Sequence, residues 1–155
     1  MLSLPDFLGD WQVSRRIEDL QVRGYDGLAR LSGSQAGRFE GGARLFAEGP
    51  GLRYHEEGKL TLDVDPEVSF VARRDYLWRW TGDRIEVLFA DGRPFHAFVP
   101  SGRAIGTDHP CGRDLYRVTY DLTGWPSWTA EWIVTGPAKD YRMLSAYEPR
   151  EPLAR

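Results

Sequence analysis

Alternation of apolar and polar side chains is the feature of this sequence that most constrains its fold. In residues 68–80 one parity is almost entirely apolar, and it comprises Val68, Phe70, Ala72, Arg74, Tyr76, Trp78 and Trp80. The other parity is mostly polar. Successive side chains of a strand point to opposite faces, so this pattern predicts a strand with one face on a core and the other in water. Helical periodicity is nearly absent, and we expect only a single turn at residues 3–8.

The same alternation recurs along the chain and predicts about nine strands. They are expected at 11–17, 39–45, 52–57, 68–80, Arg84–Phe89, 94–99, 116–122, Trp128–Thr135 and 141–147. Turn signals such as Asp91-Gly92 and Gly136-Pro137 separate them. Short strands joined by tight turns favour a closed antiparallel up-and-down barrel of about 8–10 strands, since closure removes exposed edges. A β-sandwich is the alternative, and residues 20–36 are compatible with a loop, a strand or both.

Length and composition narrow the class of protein further. A chain of 155 residues is expected to form a single domain over 1–155. The net charge of −3 argues against a nucleic-acid partner, and the inward parity of most aromatic residues marks them as core. Cys111 is the only cysteine, which excludes an intrachain disulfide and fits a reducing compartment. The chain has no signal-peptide pattern and no apolar run of about 20 residues, so we expect a cytoplasmic protein without a membrane partner.

The N-terminal segment Phe7-Leu8-Gly9-Asp10-Trp11 resembles the start of a lipocalin, or more widely a calycin, in which a G-x-W triplet enters the first strand. The resemblance implies a lipocalin-like barrel. It also implies that a basic residue near the end of the last strand packs over Trp11. The candidates for that residue are Arg142 and Arg150.

A second resemblance extends over nearly the whole chain. It rests on Trp11 with Arg16-Ile17-Glu18-Asp19, Phe39-x-Gly41-x-Ala43, Arg74-x-Tyr76-x-Trp78, Asp91-Gly92-Arg93-Pro94-Phe95-His96, His109-x-Cys111, Asp114-x-Tyr116 and Gly136-Pro137-x-Lys139-Asp140-Tyr141. The chain is similar in these motifs to a group of small bacterial proteins known only as a domain of unknown function. That similarity implies a calycin-like barrel and carries no activity with it.

Arg74-x-Tyr76 is the most informative polar motif. Residues two apart on a strand share a face, and this face is the apolar one. A guanidinium in such a place attracts an anion, and a carboxylate can accept two of its hydrogen bonds. The motif resembles the Arg-x-Tyr pair that grips a carboxylate in fatty-acid-binding barrels, which carry it on another strand. The alternative is a partner within the protein, namely Glu56, Asp114, Trp78 or Trp128.

The facing of His96 depends on the hairpin at Asp91-Gly92. A two-residue loop sets His96 opposite Val87 and turns it inward. A three-residue loop that ends in Gly92 as a bulge reverses the parity and turns Phe95 inward instead. A buried His96 is most simply a core residue with its hydrogen bonds satisfied, and the alternatives are a general base or a haem ligand.

The segment from Asp108 to Asp114 contains several side chains that can bind metals. His109-x-Cys111 together with His96 would provide three ligands, but the spacing matches no zinc signature and Pro110 interrupts it. We therefore predict no metal and no cofactor, and nothing marks Cys111 as a nucleophile. Asp114 is expected to fix the loop or to pair with an arginine.

These features predict a barrel that binds one small, mainly apolar molecule with an anionic or hydrogen-bonding group. The expected wall and anchors are Trp11, Phe70, Trp78, Trp128, Trp132, Arg74, Tyr76, Arg15, His96 and Tyr116. One alternative is an enzyme of the isomerase or hydrolase type that uses the same cavity, with His96 or Tyr116 in acid–base chemistry. Another is an interaction or scaffold protein with a solidly packed barrel. The sequence fixes neither the ligand nor the oligomeric state.

Overall fold

The computed structural model describes residues 1–20, 36–137 and 139–150. They contain a 3₁₀ turn at Leu4–Phe7 and eleven strands. The strands are β1 (Gly9–Asp19), β2 (Gly37–Glu48), β3 (Gly51–Leu62), β4 (Asp65–Thr81), β5 (Arg84–Phe89), β6 (Pro94–Phe98), β7 (Arg103–Ile105), β8 (His109–Cys111), β9 (Asp114–Asp121), β10 (Trp128–Thr135) and β11 (Asp140–Pro149). The question of a loop or a strand within 20–36 lies almost wholly outside the described residues.

The strands form one antiparallel sheet in the order β6-β5-β4-β3-β2-β1-β11-β10-β9-β7, with β8 also beside β9. Because β7 and β8 pair with opposite ends of β9, they act as one interrupted strand, and the sheet is ten strands wide. Its two edges meet at Ala97 and Thr107. The Thr107 amide donates to the Ala97 carbonyl at 2.9 Å, and the Ala97 amide donates to Thr107 Oγ1 at 2.9 Å. The predicted fold, a nearly closed antiparallel barrel, is confirmed.

The 3₁₀ turn closes one end of the barrel. The Asp6 carboxylate fixes its start, since it accepts hydrogen bonds from the Ser3 amide at 2.7 Å and the Ser3 hydroxyl at 3.0 Å. Phe7 is fully buried, and its ring contacts Trp125 and Trp128 at centroid distances of 4.9 and 5.5 Å. We call this the closed end.

Trp11 lies on β1 directly above the turn and is buried. Its indole nitrogen donates to the Phe7 carbonyl at 3.0 Å. Its ring packs against Trp125 and Trp128 at centroid distances of 5.6 and 5.7 Å. The predicted entry of Trp11 into the first strand is therefore correct, and other aromatic rings cover it.

The arginine expected over this indole lies elsewhere. Arg142 has the outward parity of β11, where it binds Glu18 and Glu131. The guanidinium of Arg150 lies against the outward side of Gly42. Parity decides the position of Arg142, because the next inward positions of β11 carry Met143 and Ser145.

The first half of β4 corrects the predicted inward face of 68–80. Val68 and Phe70 are 41% and 51% exposed, and Trp80 at the other end is 37% exposed. β4 pairs with β5 only over Tyr76–Thr81, so within the described residues its earlier part has β3 alone beside it. Alternation predicted the strand correctly, but that part of it does not face the barrel interior. Phe70 is thus not a wall residue.

A close approach of two glycines shapes the wall beside the candidate site. Gly41 on β2 and Gly58 on β3 are directly opposite each other. A Cβ atom added to Gly58 would lie 2.6 Å from the Phe39 ring and 2.7 Å from the Gly41 Cα. The missing side chains leave room for the Phe39 ring, and the Arg15 guanidinium lies over that ring at 5.0 Å.

Candidate functional site

A cavity of about 900 Å³ occupies the barrel interior above the closed end. Its described lining contains all eight side chains predicted to bind a ligand, namely Arg15, Arg74, Tyr76, Trp78, His96, Tyr116, Trp128 and Trp132. Of the other expected wall residues, Trp11 belongs to the core of the closed end and Phe70 lies outside. The structure therefore brings the predicted polar and aromatic groups together around one space. Whether they bind a ligand stays a prediction.

A buried ion pair lies in the cavity wall between β1 and β3. Arg15 donates from Nη1 and Nη2 to the two carboxylate oxygens of Glu56 at 2.8 and 2.6 Å, and from Nε to Ser145 Oγ at 2.6 Å. Arg15 is 7% exposed and Glu56 is 2% exposed. Burial alone would raise the pKa of Glu56, but the hydrogen bonds from Arg15 lower it overall. The pair is therefore fully ionised at neutral pH.

Two tyrosines complete this pair. The Tyr54 hydroxyl donates to Glu56 Oε1 at 2.6 Å and lies 2.7 Å from the Tyr147 hydroxyl. Burial raises the pKa of both phenols, so both stay protonated. The sequence analysis missed Tyr54, Ser145 and Tyr147. The signal was available, because Tyr54 and Glu56 share the inward parity of their strand.

Arg74 lies beside the buried pair. Its Nε is 3.5 Å from Glu56 Oε2, and its Nη1 is 3.4 Å from the Tyr76 hydroxyl, both long contacts. The Arg74 side chain is 47% exposed. Glu56 was thus correctly named as an internal partner of Arg74, but it already accepts short hydrogen bonds from Arg15 and Tyr54.

The charges of the cavity lining do not balance. Glu56 is the only carboxylate among the described lining residues, whereas four arginines line the same space. Two of these arginines, Arg73 and Arg93, have partners at 2.8 and 2.7 Å, namely Glu57 and Asp91. Arg15 and Arg74 share Glu56 alone, so the wall carries one excess positive charge, located at Arg74.

Two irregularities determine the facing of His96. The Phe89 amide donates to the Arg93 carbonyl at 2.9 Å, so three residues lie in the loop between this hydrogen-bonded pair, the last of them Gly92 at a φ of 91°. The strand pairing then shifts, so that Leu88 is opposite Pro94 and Val87 is opposite His96. Of the two predicted loops, the three-residue loop is therefore the correct one. The shift in pairing leaves Phe95 without an opposite residue on β5, and as a result His96 also points inward. Phe95 and His96 both line the cavity.

His96 is buried, with 5% of its surface exposed. Its Nε2 lies 2.8 Å from the Tyr120 hydroxyl, while Nδ1 has no hydrogen-bond partner among the described residues. Burial lowers the pKa of His96 to about 3, so the imidazole is neutral and only weakly basic. We expected a core histidine with all of its hydrogen bonds satisfied. This holds for Nε2 but not for Nδ1 among the described residues. The buried indole nitrogen of Trp128 is also unpartnered among the described residues.

The remaining predicted residues lie at the end opposite the 3₁₀ turn. Lys139 Nζ donates to the Tyr116 hydroxyl at 3.1 Å and lies 3.2 Å from Asp114 Oδ2. Asp114 was expected to fix the loop or to pair with an arginine, and the partner that it has is Lys139. The His109 ring packs on aromatic neighbours, and Cys111 is exposed.

No group of three or more His, Cys, Asp or Glu side chains lies close enough to hold a metal ion within residues 1–20, 36–137 and 139–150. The absence of a metal or cofactor stays a prediction. In the same part of the chain, no helix has the length and apolarity needed to cross a membrane.

The fold and the cavity in its interior define a calycin-like barrel. The chain belongs to the family of unknown function DUF6314, whose sequence model matches residues 7–149. Among solved structures, the S-type phycobiliprotein lyase CPES from Guillardia theta is similar with a TM-score of 0.63 and 8% sequence identity. That match covers 97% of this chain and 94% of the lyase chain. At this identity the likeness concerns the fold alone. A search of curated protein sequences gives no match.

Proposed function

We propose that the barrel binds one small, mainly apolar molecule through an anionic group, with Arg74 as the anchor. The observation that carries this proposal is the charge imbalance in the cavity, where Arg15 and Arg74 share the single carboxylate of Glu56. Glu56 is already fully engaged by Arg15 and Tyr54. A guanidinium at the edge of an apolar cavity gains most from a carboxylate that it can bind bidentately.

The rest of the cavity suits the apolar part of such a molecule. Its volume of about 900 Å³ lies within the range of small-molecule sites, and its described lining includes 11 Phe, Trp and Tyr side chains. Tyr76 lies next to Arg74, with its hydroxyl 3.4 Å from the guanidinium, so a bound carboxylate can accept hydrogen bonds from both. The two proposed anchors, Arg74 and Tyr76, are neighbours on β4, which favours one orientation of the ligand.

The two alternatives have less support. A solidly packed scaffold does not fit a cavity of about 900 Å³. Acid–base catalysis by His96 requires a pKa near the working pH, whereas burial lowers its pKa to about 3. The cytoplasmic location, the single domain and the lack of nucleic-acid and membrane partners stay predictions from the sequence.

Two acids test the role of Arg74: hexadecanoate and 1-pyrenebutyrate. Native mass spectrometry of freshly purified protein first shows whether a molecule co-purifies. Calorimetric titration of the delipidated protein then measures both acids. We expect Arg74→Met to weaken binding about tenfold or more, because it removes the charge and keeps the side-chain length. Arg79→Met is the matched control, since Arg79 lies on the outward parity of β4 and is exposed. Unchanged affinity in Arg74→Met, or equal losses in both variants, would refute the proposal.

A further inference from the structure

The pairing shift between β5 and β6 gives the cavity one side chain more than regular alternation allows. Val87 is opposite His96 and Leu88 is opposite Pro94, so Phe95 has no residue opposite it on β5. In a regular strand two consecutive side chains point to opposite faces. Here Phe95 and His96 both line the cavity. An extra residue of this kind is a β-bulge, which redirects a side chain and is common near functional sites.

The Phe95 ring crosses the barrel interior. It stacks on Tyr76 of β4 at a centroid distance of 5.5 Å and an angle of 29°, and on Trp132 of β10 at 5.0 Å and 10°. Phe89 adds a third parallel contact at 4.5 Å and 19°. In the sheet, β6 is adjacent to neither β4 nor β10, so these rings meet only across the interior. Phe95 is therefore packed among nearly parallel aromatic rings that belong to separate parts of the wall.

We propose that the ligand is a planar conjugated acid, whose rings stack between Tyr76 and Trp132 in the place of the displaceable Phe95 ring. This inference rests on the proposed function, since Tyr76 is also the neighbour of Arg74. A flat ring system on the Tyr76 face brings an attached carboxylate to the guanidinium. It also restores both stacking contacts that Phe95 gives up.

The local structure permits this exchange. Phe95 is only half-buried, and the strand pairing skips its position. By contrast, Tyr76 and Trp132 both have paired neighbours, opposite Phe89 and Val118 respectively. Flat rings gain from stacking on parallel aromatic faces, whereas an aliphatic chain gains only from burial. The Phe95 ring thus favours planar ligands, because only a planar ligand replaces the stacking contacts with Tyr76 and Trp132 that are lost when Phe95 moves away.

The test compares 1-pyrenebutyrate, a planar acid, with hexadecanoate, an aliphatic one, by calorimetry and by quenching of tryptophan fluorescence. We expect Phe95→Ala to raise the affinity for 1-pyrenebutyrate about tenfold, because no ring has to be displaced, and to change that for hexadecanoate less than about threefold. Trp132→Leu is expected to lower the affinity for 1-pyrenebutyrate about fivefold and to have little effect on the affinity for hexadecanoate. Phe46→Ala is the control, since Phe46 is 37% exposed and has outward parity, and it should alter neither affinity.

The outcomes separate this inference from the proposed function. If neither acid binds, or if binding does not depend on Arg74, the proposed function itself is wrong. If both acids bind through Arg74 but Phe95→Ala affects them equally or not at all, only the role of Phe95 and the planar class are wrong. Phe95→Leu keeps most of the volume without a flat ring, and it covers the case that the alanine variant does not fold. The same preference for the planar acid is expected from it, with a smaller gain.

Discussion

The closed end of the barrel and the end opposite the 3₁₀ turn differ in what their inward side chains do. At the closed end the inward positions are aromatic, and Phe7, Trp11, Trp125 and Trp128 fill the interior against one another. Towards the other end the inward positions include charged groups, which pair across the interior and leave a cavity. Inward parity alone therefore creates no site. A site arises where inward groups cannot satisfy one another completely.

The largest expected effect lies at the closed end. Trp11→Ala removes a buried indole together with its hydrogen bond to the Phe7 carbonyl, and the surrounding rings cannot close the space. We expect a loss of about 4 kcal/mol in the free energy of unfolding, measured by urea denaturation. The matched control is Trp80→Ala, which removes an indole that is 37% exposed. Equal losses in the two variants would show that the closed end is not the main core.

Arg15 and Arg74, the two cavity arginines that share Glu56, give the next contrast. Arg15→Met leaves Glu56 charged and 2% exposed without its main partner, so we expect a loss of about 3 kcal/mol. Arg74→Met keeps the Arg15–Glu56 pair intact and removes a side chain that is 47% exposed, so its cost is expected to stay below about 1 kcal/mol. Chemical denaturation of both variants measures the difference.

A double variant checks the cause. Arg15→Met combined with Glu56→Leu removes the whole ion pair, and such replacements by apolar residues are often neutral. The double variant is therefore expected to regain most of the stability that Arg15→Met loses. If it is no more stable than Arg15→Met, the loss comes from packing and not from the stranded carboxylate.

The pH dependence that His96 confers is expected to be smaller than the losses from Trp11→Ala and Arg15→Met. Its pKa is about 3 in the folded protein, against 6.5 for the ordinary side chain. Between these values the unfolded chain binds a proton that the folded chain does not, so stability falls as the pH falls below 6.5. From pH 6.5 to 5.0 we expect a contribution of about 1.5 kcal/mol. Denaturation at several pH values should show a shallower dependence in His96→Phe, and an unchanged slope would contradict the burial of a neutral imidazole.

Local features of the sequence determined the strands of this protein and most of their inward faces. The period-two pattern located every long strand, and inward parity placed Arg15, Arg74 and the tryptophans of the cavity correctly. A few consecutive residues are enough to show this pattern, because successive side chains of a strand point to opposite faces of the sheet. Short strands and tight turns also predicted closure of the sheet, and the family resemblance implied its calycin-like form; the contact between Ala97 and Thr107 confirms that the sheet is nearly closed.

Only the tertiary structure decided which inward groups meet. Glu56 on β3 binds Arg15 on β1, although β2 separates these two strands. Arg74 therefore has to share Glu56 with Arg15. A bulge turns Phe95 and His96 inward together, and the limited length of β5 leaves Phe70 exposed. These outcomes depend on strand order, register and the relative lengths of neighbouring strands. Contacts between residues far apart in the chain set all three, so no local pattern in the sequence contains them.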